Sequence, residues 1–169
     1  MKFTGKEKVN KSYLYMIVLL MLILPAVSIG LDYNYHQTLS LFLLMGKWVV
    51  FWSIGFRLLL AGLRQTAKPE FTAKQIFNLD GNDSLVVIRE LGFANICFGS
   101  LAIISIFIPF WRSAAAFCGG LYMGIAGIYH IIKKPSGLNE IIAMVSDLFV
   151  FVVLAIYLYA VVINNNIQI

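Results

Sequence analysis

Five apolar runs, separated only by short polar connections, leave this chain few folds. A bilayer's hydrocarbon core is about 30 Å thick, and a helix needs about 20 mostly apolar residues to cross it. Runs of that length fall at about 13–31, 41–63, 85–108, 113–132 and 138–163. The expected fold is an all-α integral membrane helix bundle of five transmembrane helices, an N-terminal helix plus a four-helix core. Only 12% of the residues are charged and 60% are hydrophobic, against about 25% charged in soluble domains. Too little polar surface remains to cover a soluble core. Residues 1–169 read as one transmembrane domain, because no Pro/Ser/Gly-rich linker and no internal repeat divides them.

The formal charge of +5 is distributed by topology. Lys2, Lys6, Lys8 and Lys11 precede the first run, Arg64, Lys68 and Lys74 follow the second, and Lys133 and Lys134 follow the fourth. The alternate connections hold only Asp32 and Arg112, and the tail 164–169 is uncharged. Lys and Arg collect in cytoplasmic loops. Nine against one predicts a multi-pass protein of the cell inner (cytoplasmic) membrane, N-terminus cytoplasmic and C-terminus outside. The lipid bilayer is the expected partner, and nucleic acid is not. Tyr33, Tyr35, Trp111, Tyr157 and Tyr159 are expected as anchors at the outer interface, with Tyr13, Tyr15 and Tyr129 at the inner one.

The first run also resembles a secretory signal, with a basic start and the small residues Ala26, Val27 and Ser28. It exceeds the apolar core of about 7–15 residues of such signals, and Pro25 lies close to the cut. Retention as an anchor is therefore expected, whereas cleavage would leave four spans. Cys97 and Cys118 lie inside spans without a CxxC spacing or a clustered His, so no metal is expected.

The longest connection, 65–84, holds a short predicted helix. Pro69 ends the second span, and Thr72 with Gln75 fits a capping box for a helix over 73–77. Such a helix turns Phe71, Ile76 and Phe77 toward lipid and Lys74 toward water. Asp80 and Gly81 supply a turn, and Asp83 or Ser84 caps the third span. The connections 109–113 and 133–137 are tight hairpins, so the last three spans pack sequentially.

Charged groups at membrane depth are costly and usually face the bundle interior. Arg57, Arg64, Arg89, Glu90, His130, Glu140 and Asp147 all fall in the inner half. Arg57 and Arg64 are seven residues apart and share a face, as do Glu140 and Asp147. Three arginines and three carboxylates nearly balance, which suits mutual pairing in a low dielectric; Glu90 is expected to pair with an arginine of the second span. The same groups are candidates for a ligand or proton site. Lys47 is expected to snorkel toward the outer interface. Small residues permit close helix approach: Gly119, Gly120, Gly124 and Gly127 line the fourth span, Gly120 and Gly124 as a GxxxG. Gly92 and Gly99 flank Asn95 and set its amide against a neighbouring helix.

The phrases 50–64 (VFWSIGFRLLLAGLR), 89–95 (RELGFAN) and 146–149 (SDLF) carry a resemblance over most of the chain. By them the chain is identified as a member of a family of small, uncharacterised prokaryotic membrane proteins, which brings no catalytic residues with it. The stretch 57–62 followed by Pro69 is more distantly similar to the first helix of DoxX-like four-helix proteins, and that likeness implies quinone as a ligand. No other cofactor is expected.

Three function classes follow. The first is a non-enzymatic structural or partner-binding subunit, joined to further copies of itself or to another membrane protein. The second is binding or transport of a small anion, lipid or quinone through the inner polar cluster. The third, an enzyme, finds no nucleophile elbow, HExxH site or phosphate loop in the sequence.

Overall fold

A backbone surrounded by hydrocarbon must satisfy its own amides, which selects helices. The computed structural model describes residues 9–35, 40–77, 79, 81–135 and 137–167. Lys2, Lys6 and Lys8, the turn position Asp80 and the side chain of Gln75 lie outside the described residues. Helix α1 spans Lys11–Tyr35, α2 Leu41–Ala67, α3 Glu70–Gln75 and α4 Asn82–Ile104. A 3-10 turn at Pro109–Trp111 leads into α5, Arg112–Lys133, and α6 is Leu138–Ile167. Five of these helices are long and apolar enough to cross a membrane.

Glycines decide which helices touch most closely. A Cβ on Gly62 would meet the Gly92 carbonyl at 2.6 Å, and one on Gly99 would meet the Leu59 amide at 2.5 Å, so α2 and α4 pack backbone to backbone. On the other side of the bundle, Gly124 lies under the Phe151 ring, Gly127 under Leu148 and Gly120 under Leu154, locking α5 onto α6. Gly92 lies against Thr66. These are the two most extensive pairings in the molecule. Gly46 seats the ring of Tyr157, which is buried rather than anchored at an interface. Val50, Ile54, Val150 and Leu154 form the fully buried centre between them.

Two stretches are wound as π-helix, Leu19–Ile23 in α1 and Val50–Phe56 in α2. Each wide turn loosens the regular ladder of amide bonds. The Leu20 carbonyl accepts a 3.2 Å bond from the Ser53 hydroxyl where the two stretches pack together. The α2 stretch ends just before Arg57. Asn10 caps α1, accepting from the Tyr13 amide at 3.0 Å, and its own amide donates to Asn139 Oδ1 at the start of α6.

Several local expectations are corrected. Helix α3 starts at Glu70 behind Pro69, not at residue 73, so Thr72 is buried inside the helix and is not its cap. Glu70 instead sits in the first turn, where a carboxylate suits the helix dipole. Neither Asp83 nor Ser84 caps α4. Gly81 is the cap residue, with φ of 106° that favours glycine, and the Ser84 hydroxyl donates to its carbonyl. Lys47 is not a free anchor: its ammonium lies 2.6 Å from Asp32, which also accepts from Trp48 Nε1 at 2.9 Å.

Candidate functional site

The end of the bundle that carries Lys133, Lys134 and the α2–α4 connection, the basic end, holds a partly open cavity of about 140 Å³. That is close to the roughly 150 Å³ in which an engineered protein cavity holds benzene. Each helix contributes a stripe at helical spacing: Tyr13 and Ile17 from α1, Arg57, Ala61 and Gln65 from α2, Leu91 and Asn95 from α4. The remainder come as Tyr122, Ala126 and His130 from α5, and Ala143 and Asp147 from α6. Residues four apart stack on one helix face, so the converging stripes build the wall.

Arg57 and Asp147 occupy one side. Arg57 Nη2 donates to Asp147 Oδ1 at 2.5 Å and to the Ser146 hydroxyl at 2.8 Å, while Nη1 points at the Met123 sulfur, 3.8 Å away. The Ser146 hydroxyl in turn donates to the Ala143 carbonyl. Elsewhere in the lining, Asn95 Nδ2 donates to Gln65 Oε1 at 2.6 Å. Asn95 is 3% exposed, yet its Oδ1 has no hydrogen-bond partner among the described residues.

Helix α3 closes the basic end as a strap. Phe71, Ile76 and Phe77, expected to face lipid, line the cavity instead. The Arg64 guanidinium stacks 3.6 Å over the Phe71 ring, and Phe77 stacks on His130. Lys133 donates to the Phe77 carbonyl at 3.1 Å. His130 Nδ1 lies 3.0 Å from Glu140 Oε1, with Lys133 at 3.8 Å from the same oxygen.

The inner cluster is thus divided. Arg57, Arg64, Asn95, His130 and Asp147 meet in the cavity, and Glu140 supports it from behind through His130. Arg89 and Glu90 do not join it: both are exposed on the outer face of α4. The expected pairing of Glu90 with an arginine of α2 is therefore wrong, and Asp147 takes that place beside Arg57. The charge balance shifts accordingly. Asp147 offsets Arg57, and among the described residues no carboxylate lies within ion-pair distance of Arg64. Sequence reasoning missed Tyr13, Gln65, Thr72 and Tyr122 as lining residues. The spacings 57/61/65 and 122/126/130 would have found Gln65 and Tyr122. Among the described residues no group of three His, Cys, Asp or Glu side chains gathers to hold a metal.

Fold and site together define a helical protein with five helices able to cross a membrane and, at one end, a largely apolar cavity that holds a few convergent polar groups. The chain belongs to the family described as a family of unknown function (DUF6790), which matches residues 11–166. No curated protein and no solved structure matches it.

Proposed function

We propose that this protein is a membrane-embedded binding protein for a small anionic group, held in the cavity at the basic end. One observation carries the reading. Asn95 Oδ1 is a buried acceptor without a donor among the described residues, in a cavity also lined by Arg64, an exposed cation with no carboxylate within ion-pair distance among them. A buried unsatisfied polar group costs about 1–3 kcal/mol. A ligand combining a negative charge with an O–H, as in hydrogen phosphate or a phosphate monoester, answers both groups at once. A purely structural subunit accounts for Arg57–Asp147, His130–Glu140 and the Arg64–Phe71 stack but leaves Asn95 Oδ1 without a donor.

The test is ligand-dependent stability of the detergent-purified chain, with glycerol as the uncharged control. Glycerol phosphate at 100 times its Kd should stabilise the fold by about 2.7 kcal/mol. Arg64→Gln should remove that gain, read against the unliganded variant because the change also gives up a stack on Phe71 worth about 0.5–1 kcal/mol. A phosphate-headed lipid retained in neutral nanodiscs, seen by native mass spectrometry, would assign the group to a headgroup, and stabilisation by free phosphate alone would assign it to a soluble anion. Quinone, implied by the DoxX-like stretch, is the neutral comparator. Its retention in both the parent chain and Arg64→Gln would sink the anionic reading.

A further inference from the structure

The cavity has an apolar neighbour. A groove of about 450 Å³ runs between α1 and α6, walled by Leu14, Val18 and Leu22 on one side and Ile142, Val145 and Phe149 on the other. It exists because these two helices are held apart. Residues 138–167 contain no glycine, and a Cβ on Gly30, the one glycine of residues 11–35, would meet nothing within 4 Å, so α1 and α6 have between them no flat face like the one α5 turns to α6. The groove opens outward, with Leu22 52% and Val145 57% exposed.

Groove and cavity share a boundary at two points. Ile17 lines both spaces. On α6, the consecutive residues Ser146 and Asp147 line the groove and the cavity respectively, and Arg57 bonds to both. The cavity with its polar groups and the apolar groove therefore meet across one side chain of α1 and one hydrogen-bonded seam of α6.

Resting on the anion reading above, we propose that one ligand occupies both spaces: a single-chain anionic amphiphile. Its charged, hydroxyl-bearing head sits between Arg64 and Asn95, and its hydrocarbon tail leaves past Ile17 into the groove. From Leu14 to Leu22 the groove follows α1 for about 12 Å at 1.5 Å per residue, the room of one chain between two helices. Tail and bilayer are equally apolar, so the groove gives little hydrophobic gain over lipid. Its effect is to hold a membrane-dissolved molecule with the head beside the cavity, raising the local concentration of the anion.

The experiment compares glycerol phosphate with its mono-acyl ester, lysophosphatidate, in phosphatidylcholine nanodiscs. Lysophosphatidate should bind at least tenfold more tightly than glycerol phosphate. Val145→Trp, at an exposed position, fills the groove without touching the cavity, and Val18→Trp fills it from the opposite wall. Either should cut the advantage of the acylated ligand to what its partition into the bilayer alone supplies and leave glycerol phosphate binding unchanged. Arg64→Gln should weaken both ligands. If both tryptophan variants keep the full advantage, the groove does not hold the tail and this inference fails, with the anion site intact. If glycerol phosphate does not bind and Arg64→Gln changes nothing for either ligand, the anion site itself is wrong.

Discussion

Arg57 and Asp147 have side chains only 8% and 9% exposed, so each leaves the other as an uncompensated buried charge when removed. Breaking such a pair costs about 3–5 kcal/mol in soluble interiors, while polar contacts between membrane helices average about 0.6. Arg57 also holds Ser146, which places its loss toward the upper figure. Arg57→Ala and Asp147→Ala should each lower unfolding free energy in detergent, and the double variant should lose less than their sum. Glu90→Ala should be near neutral and simply additive with Arg57→Ala. A measured coupling between Glu90 and Arg57 would contradict the placement of α4. That placement was partly legible. Gly92, Asn95 and Gly99 mark the face of α4 turned to its neighbours, and Glu90 lies five residues from Asn95, about 140° round a helix of 3.6 residues per turn. Depth and helical face could be read from spacing; the choice of partner could not, because it depends on how each helix is rotated in the bundle. The Arg64–Phe71 stack was hidden for a different reason: it needs the chain to double back after Pro69.

Helix pairing is set by the glycine faces, and here a single side chain should act on a whole element. A Cβ at Gly124 would stand 2.6 Å from the Phe151 ring, so Gly124→Leu should push α5 off α6. Overpacking of this kind costs about 1–3 kcal/mol. Ile125→Leu, on the exposed side of the same turn, should stay within about 0.5 kcal/mol. Adding Phe151→Ala to Gly124→Leu should recover part of the loss; thermal unfolding with no recovery would place the strain elsewhere. The spans themselves were readable because apolar length alone defines them. The π-helical stretches Leu19–Ile23 and Val50–Phe56 were not, since every residue there is apolar or small and no periodicity betrays the extra residue per turn. Helix α3 was misplaced by a few residues. Thr72 looked like a cap by its spacing to Gln75, but Pro69 already supplies the start, and the stacking of Phe71 under Arg64 decides which face turns inward.

At the scale of the whole molecule, two expectations concern how the chain sits in a membrane. The first is retention of α1. A cut after Ser28 would remove the Leu20 carbonyl that holds Ser53 and the Ser28 hydroxyl that accepts from Trp52 Nε1 at 3.0 Å. It would also strip Tyr13 and Ile17 from the cavity wall. The intact mass of protein purified from membranes should therefore include residues 11–28, and a mass beginning after Ser28 would leave a four-helix bundle with an open cavity. The second is orientation. An odd number of spans places the two termini on opposite sides, and the basic connections after α2 and α5 gather at the cavity end. The positive-inside rule predicts that this end faces the cytoplasm, and a ligand of the cavity is then expected to arrive from the cytoplasmic leaflet. A reporter active only outside the cytoplasm should work when fused after Ile169, and one active only inside should be silent there. Adding four lysines after Ile169 should weaken that preference, because added C-terminal charge competes with the loops. A cytoplasmic signal from the parent fusion would reverse the bundle and put Arg64, Lys133 and the mouth of the cavity on the far side of the membrane.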